Sequence, residues 1–221
     1  MSHAKAVAII DYGSGNLRSA EKAVERCISD QGLDLSVTVT SCPDVVSKAD
    51  HIILPGVGAF ADCMGGLSAL DGMVDCLEQV VLKEGRPFLG ICVGMQLLAH
   101  EGLEHGTCAG LGWIEGQVGP LVIPEGQNLK VPHMGWNQIE IAPSHKSHPV
   151  LAGIEDGDHV YFVHGYQFRP HDPNHIMMTT EYGNPIAAMI GRDNIVGTQF
   201  HPEKSQRVGL RLIGNFLGWR P

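Results

Sequence analysis

A cysteine held between two glycines, in Phe88-Leu89-Gly90-Ile91-Cys92-Val93-Gly94-Met95-Gln96, is where this chain carries a nucleophile. The apolar run reads as a strand driving straight into a helix, with Cys92 at the corner. A Cβ at Gly90 or Gly94 would crowd the bend and an approaching substrate, so glycine at both places permits the tight turn. The thiol is therefore expected to be presented rather than buried. At a helix N-terminus it faces the positive end of the dipole and unpaired N–H groups, which favour the thiolate. The N–H of Val93 points where an oxyanion would form if Cys92 attacked a carbonyl. The competing reading of the same pattern is a buried structural cysteine.

Phe200-His201-Pro202-Glu203, far along the chain, supplies the complementary groups. Proline at 202 biases His201 toward extended geometry, so His201 and Glu203, two apart, project to the same side. The carboxylate can then orient the imidazole. Cys92 as nucleophile, His201 as proton carrier and Glu203 as the group fixing the ring tautomer make a triad. Without a nucleophile the histidine would read as a surface residue before a turn proline.

Two glycine-containing loops lie near these groups in the pattern. Pro55-Gly56-Val57-Gly58-Ala59-Phe60-Ala61 formally matches the dinucleotide fingerprint G-x-G-x-x-A. That fingerprint wants a second strand ending in an acid about twenty residues on, whereas Asp75 and Glu78 fall inside a helical pattern. Close backbone approach to a reacting carbonyl is the better use, giving a second oxyanion donor from Val57, and a plain structural turn is the alternative. Asp11-Tyr12-Gly13-Ser14-Gly15-Asn16 reads as a strand-to-helix connection with Asn16 as helix cap, at the sheet edge of Cys92, where it would also face a partner. In Pro132-His133-Met134-Gly135-Trp136-Asn137 the indole of Trp136, beside Gly and Asn in a turn, is either core or an interface anchor.

The elements that must position these groups alternate in type. Ala6 to Ile10, Leu35 to Thr40 and His51 to Leu54 read as strands, with helical patterns over Leu17 to Ile28 and Met73 to Lys83. Such alternation implies crossover connections and a parallel sheet, with Cys92 at the carboxyl end of a central strand, where open α/β sheets bind ligands. After Gly110 come shorter strands, some antiparallel: Trp113 to Ile123, Val131 to Ile141, His159 to Val163, His175 to Glu181, Ile186 to Ile190 and Ile195 to Phe200. A last helix, Arg207 to Leu217, covers a face of the sheet. The fold class is α/β: a flavodoxin-like, open, mostly parallel sheet flanked by helices, with additional antiparallel strands in the C-terminal half. With no repeat, low-complexity segment or linker, residues 1–221 read as one domain.

Composition narrows the function classes. A chain of 221 residues with formal charge −9 is large enough for one well-buried core and is unsuited to nucleic acid or an anionic membrane. The sequence contains no apolar run approaching the roughly 20 residues of a membrane span and no basic-then-apolar leader, which points to the cytoplasm. The six cysteines (Cys27, Cys42, Cys63, Cys76, Cys92, Cys108) show no C-x₂-C pair and read as reduced thiols, all but Cys92 being packing residues. Twelve histidines show no ligand spacing, so neither a metal nor another cofactor is expected.

With triad and loops together, the chain resembles the class I (triad) glutamine amidotransferases and, within them, the glutaminase subunits of imidazole glycerol phosphate synthase. The resemblance runs nearly end to end. The cysteine elbow and His-Pro-Glu mark the class, and Pro132-His133-Met134-Gly135-Trp136-Asn137 with His201-Pro202-Glu203-Lys204-Ser205 mark the subunit. It implies hydrolysis of L-glutamine through a thioester on Cys92. Ammonia would pass to a (β/α)₈ cyclase subunit, forming a heterodimer that makes imidazole glycerol phosphate and AICAR in histidine biosynthesis. Carried over by position, Gly58, Gln96 and Glu104 would meet the substrate, the backbone of Gly165 and Tyr166 its α-carboxylate, and the N–H groups of Val57 and Val93 the oxyanion. Asn16, Trp136, Tyr161 and Lys204 would lie at the partner face. Val93 stands where leucine is common, and Gly165 where a small hydroxyl residue is often seen. The Gly56-Val57-Gly58 loop is expected to keep the oxyanion hole imperfect until the partner binds its nucleotide ligand. Rival readings are the glutaminase subunit of another synthase, such as that of pyridoxal phosphate, a catalytically silent regulatory scaffold, and a nucleotide-binding dehydrogenase. Co-purification with a cyclase, alkylation of Cys92 and an NAD titration separate them.

Overall fold

A computed structural model describes residues 5–221. The first four residues, on which the reading of a leaderless N-terminus partly rests, lie outside the described residues. The first half runs β1 (Lys5–Ile10), α1 (Leu17–Gln31), β2 (Leu35–Thr40), α2 (Pro43–Val46), β3 (His51–Gly56), α3 (Phe60–Ser68), α4 (Met73–Leu77), β4 (Phe88–Cys92) and α5 (Val93–Gln96). The second adds β5 (Glu101–Gly102), β6 (Cys108–Ala109), β7 (Gly116–Pro120), β8 (His133–Gln138), β9 (Glu140–Ile141), β10 (His159–His164), β11 (Tyr166–Pro170), β12 (Ile176–Glu181), β13 (Pro185–Arg192), β14 (Ile195–Thr198) and α6 (Gln206–Gly218).

Burial follows the sequence pattern. Strands β3, β4 and β14 are buried at every residue and apolar but for His51 and Thr198, whereas β2 alternates exposed and half-buried positions. Continuous apolar runs suit strands covered on both faces, and alternation suits an edge. The main sheet accordingly has the order β2-β1-β3-β4-β14-β13-β12-β9. Its first five strands are parallel and the last three antiparallel. Cys92 ends β4, between β3 and β14, at the carboxyl end of a central strand as expected.

Helix α1 buries Ala20, Ala23, Val24 and Cys27, a spacing that keeps one face inward, and Gly32 ends it in the left-handed conformation. Helix α6 packs against α1 and buries Leu212, Ile213, Phe216 and Leu217, with Phe216 edge-on to His51 of β3. Each such side chain contributes about 1.5–3 kcal/mol.

The C-terminal half folds into more than the antiparallel extension. Strands β8 and β10 pair as a separate two-stranded ribbon, and β11, β7, β5 and β6 form a third sheet. Five details differ from the sequence expectation. Helix α3 occupies the stretch after the Gly56–Gly58 loop, and the helical pattern over Met73 to Lys83 continues beyond α4 as a π-helical turn, Glu78–Lys83. Trp136 sits within strand β8 rather than in a turn. Asn16 occupies the cap position of α1, but its side chain makes no capping hydrogen bond. All six cysteines are free; Cys27 and Cys63 are buried, Cys76 and Cys108 half-buried, and Cys42 is exposed, so packing does not account for Cys42. Among the described residues no helix is long and apolar enough to cross a membrane.

Candidate active site

Where β4 meets α5, Cys92 adopts φ 54° and ψ −110°, conformational space a non-glycine residue enters only under constraint. The glycines around it explain how. A Cβ on Gly94 would lie 1.8 Å from the Leu54 carbonyl oxygen, and one on Gly90 2.6 Å from that of Gly94. Glycine is demanded by the packing of the bend on itself, and the elbow is locked between β3 and β4. Cys92 is 4 % exposed, so the expectation of a presented thiol is corrected: it sits at the floor of a cavity of about 360 Å³, not on the surface. Helix α5 is a single turn, so the dipole argument is weaker than the sequence implied. Val93, its first residue, carries an N–H with no preceding turn to bond within the helix.

His201 follows β14 and meets the same cavity. Its backbone N–H donates to the Tyr161 carbonyl at 2.9 Å, and the Ser205 hydroxyl donates to the His201 carbonyl at 2.7 Å, so the histidine is anchored on both sides. Nδ1 lies 2.8 Å from Glu203 Oε1, and both side chains are 2 % exposed. Nε2 is buried without a well-formed hydrogen bond, and its reactive neighbour is the Cys92 sulfur. Burial works against charge on this imidazole, but hydrogen bonding and charge from Cys92 and Glu203 outweigh it and raise its pKa to about 9. The raised value keeps the imidazolium of His201 charged beside the Cys92 sulfur near neutral pH.

The cavity wall brings the other expected residues together. Val57, Gly58, Val93, Gln96, Glu104, Gly165 and Tyr166 all line it. Glu104 is tethered, Oε2 accepting the Phe60 N–H at 2.8 Å at the start of α3. The carbonyls of Gly165 and Tyr166 are engaged, the first by the Leu121 N–H at 2.9 Å and the second by Gln96 Nε2 at 3.2 Å. Gln199 is a residue sequence reasoning missed: fully buried, it accepts from Gln96 Nε2 at 3.0 Å and donates toward Cys92 Sγ at 3.7 Å. Nothing local marked it: β14 ends at Thr198, and its partners Gln96 and Cys92 lie more than a hundred residues away along the chain.

Val57 is at the cavity but turned to other partners. Its N–H donates to Ser14 Oγ at 3.3 Å, and its carbonyl accepts from the Ser14 hydroxyl and, at 3.3 Å, from Cys63 Sγ. The loop is held from beneath as well, the Tyr12 hydroxyl donating to the Pro55 carbonyl at 2.8 Å. Of the two expected oxyanion donors, only Val93 is uncommitted.

Trp136 is 47 % exposed, which removes the core alternative. Its ring meets Tyr161, its cross-strand neighbour, edge-on at 6.1 Å, and Lys204 Nζ stands 5.8 Å from the centre of the Tyr161 ring. Asn16 heads α1, which packs against the turn Pro202–Lys204. Three of the four residues expected at a partner face, Trp136, Tyr161 and Lys204, therefore adjoin one another.

Comparison with known proteins agrees with this architecture. The profile of the family described as Glutamine amidotransferase class-I matches residues 8–218. Among curated proteins, the Imidazole glycerol phosphate synthase subunit HisH of Rhodospirillum rubrum is 59 % identical over 215 residues, covering 97 % of this chain and 99 % of that protein. The same subunit of Brucella suis is 53 % identical over 218 residues, with 97 % and 99 % covered. Among solved structures, a glutamine amidotransferase from Thermotoga maritima superposes with TM-score 0.62 at 21 % identity, over 91 % of this chain and 77 % of that one. The glutaminase domain of Trypanosoma brucei CTPS with bound acivicin gives TM-score 0.63 at 16 % identity, over 98 % and 95 %. This chain belongs to the class-I glutamine amidotransferase family.

Proposed function

We propose that this chain is the glutaminase subunit of an imidazole glycerol phosphate synthase, hydrolysing L-glutamine and passing the ammonia to a cyclase subunit in histidine biosynthesis. The observation that carries the chemistry is the convergence of Cys92 and His201 in one cavity at the carboxyl end of the sheet, with the buried Glu203 carboxylate held on His201 Nδ1 at 2.8 Å. The end-to-end likeness to HisH subunits supports the choice of partner and pathway. The work is that of a cytoplasmic enzyme, and the chain, read as one domain, docks as one half of a heterodimer.

In this reading the Cys92 thiolate attacks the side-chain amide carbon of glutamine, and the carbonyl oxygen becomes an oxyanion facing the Val93 N–H. His201 gives its Nε2 proton to the departing nitrogen as the C–N bond breaks, leaving a thioester and ammonia. His201, now neutral, takes a proton from water; the hydroxide attacks the thioester, and the C–S bond breaks to release glutamate and restore the thiolate. Glu203 holds Nδ1 throughout, so Nε2 always faces the reacting atoms. Gly58, Gln96 and Glu104 meet the substrate, with the backbone of Gly165 and Tyr166 at its α-carboxylate. No cofactor enters these steps.

Activity waits on the second oxyanion donor. While Ser14 holds the Val57 N–H, the hole has one arm, and a missing donor costs about 100- to 1000-fold in rate. Docking of the cyclase with its nucleotide ligand releases Val57, which couples hydrolysis to demand for ammonia. The test is glutamate release by the chain alone and with a cyclase subunit plus its ligand, with Cys92→Ala as control. Low activity alone and a large rise in the complex, lost in the control, are expected; rapid hydrolysis by the isolated chain sinks the gating, and none in the complex sinks the glutaminase reading.

A further inference from the structure

Strand β8 presents Met134 and Trp136 outward, so His133 and Asn137 point to the other side. On β10, His164 pairs with His133 in register. His133 and His164 are 3 % and 6 % exposed, and neither belongs to the triad. The His133 ring is stacked between Tyr182 at 3.9 Å and Phe162 at 4.7 Å.

The hydrogen bonds among these groups have a determined direction. Asn137 Oδ1 accepts the Gln138 N–H at 2.8 Å, and Nδ2 donates to the Glu181 carbonyl at 2.8 Å, which fixes the amide. The second hydrogen of Nδ2 is then directed to His133 Nε2 at 3.3 Å, making that nitrogen an acceptor. A neutral His133 must carry its proton on Nδ1 and donate to His164 Nε2 at 3.1 Å. His164 in turn carries its proton on Nδ1 and donates to the Tyr166 carbonyl at 2.8 Å, the oxygen that also receives Gln96. Reversing any link would set two donors face to face.

We propose that Asn137, His133 and His164 are positioning residues: a one-way hydrogen-bond chain that fixes the Tyr166 carbonyl and, through it, the Gln96 amide for the substrate. The chain stays neutral, since burial lowers both histidines to about 4, His164 being opposed by its bond to Tyr166 and further disfavoured by His133 and His201. It runs from the strand carrying Trp136 to the cavity wall, and Gln96 carries it on through Gln199 to Cys92. The role rests on the glutaminase reading above.

The tautomers are read directly in the wild-type protein by ¹⁵N NMR of its histidines. Both rings are expected as Nδ1–H forms at neutral pH; an Nε2–H form at either overturns the chain. For function, His133→Phe keeps the stack but removes both nitrogens. In the complex with a cyclase subunit and its ligand, it is expected to raise KM for glutamine about tenfold with kcat within about twofold. Its rate of Cys92 alkylation by iodoacetamide stays at the wild-type value. His133→Asn, which restores a donor at the place of Nδ1, recovers most of the loss. Should His133→Phe fail to fold, Asn137→Ala, at a half-exposed position, carries the same test with an expected rise of about threefold. Unchanged KM in the folded variant overturns the proposal while wild-type turnover stands, whereas a wild-type complex that releases no glutamate fails the underlying reading instead.

Discussion

His201 is under two opposed influences, and the balance sets a pH range. Desolvation disfavours the imidazolium, while Cys92 and Glu203 favour it, with the outcome raised to about 9 from the usual 6.5. A raised folded-state pKa contributes stability that is fully present below the unfolded value near 6.5 and is lost as pH rises through about 9. Followed by NMR, the His201 ring in the free chain is expected to hold its charge at pH 7.5 and titrate near 9. Glu203→Gln removes the carboxylate and should move that midpoint down by a unit or more, about tenfold in proton affinity, while lowering turnover in the complex. An unmoved midpoint would show that Cys92 alone supports the charge. The triad was readable in the sequence because its members are marked locally: the glycines flanking Cys92, and the proline that aligns His201 with Glu203. Gln199, His133 and His164 carried no such mark, since their partners lie far away along the chain and only the folded sheets bring them together.

The loop between β3 and α3 shows how an element's ends are set by more than its own sequence. Helix α3 contains Gly65 and Gly66, poor helix formers that hid it from pattern reading. The fold needs glycine at the second of them, because a Cβ on Gly66 would lie 2.7 Å from the Tyr12 carbonyl oxygen. Packing against the 11–16 loop therefore overrides propensity, and brings Ser14 and Cys63 to the Val57 carbonyl. Likewise, β11 lies immediately after Gly165 and pairs with β7, a long-range match that alternation could not reveal. The strands of the main sheet were legible because parallel, buried β3 and β4 need continuous apolar runs. Ser14→Ala removes the hydroxyl that holds the Val57 N–H while leaving the glycines of both loops in place. Glutamate release by the isolated chain is expected to rise about tenfold or more, a fraction of a full donor's worth. Activity unchanged from wild type would mean that other contacts, Tyr12 or Cys63, keep the peptide turned away.

At the scale of the molecule, exposed apolar side chains occur both at the cavity and on the β8–β10 ribbon, more than the free chain needs. Val57, on the cavity wall, and Val131, next to Gly165 of that wall, are 40 and 53 % exposed, and Met134 and Trp136 of β8 are 63 and 47 % exposed. Lys204 beside Tyr161 adds a charged edge. Apolar groups gathered around a reactive opening and rimmed by polar ones mark an interaction surface. The chemistry asks for such a surface in the same place. Ammonia that escapes into water near neutral pH is mostly protonated and loses its nucleophilicity, so the end of the molecule bearing Cys92 must be sealed against the enzyme that consumes the product. Trp136, the largest exposed ring and already braced by Tyr161, is the natural anchor. Trp136→Ala should weaken association with a cyclase subunit by about 2 kcal/mol, near thirtyfold in Kd, measured by titration calorimetry. Being half-exposed, it should change the stability of the free chain by less than about 0.5 kcal/mol. The isolated variant should alkylate at Cys92 as fast as wild type, whereas glutamate release at subsaturating partner should fall with occupancy and recover when the cyclase is raised above the new Kd. Affinity equal to wild type would move the docking surface away from the β8–β10 ribbon and leave this apolar rim to another occupant.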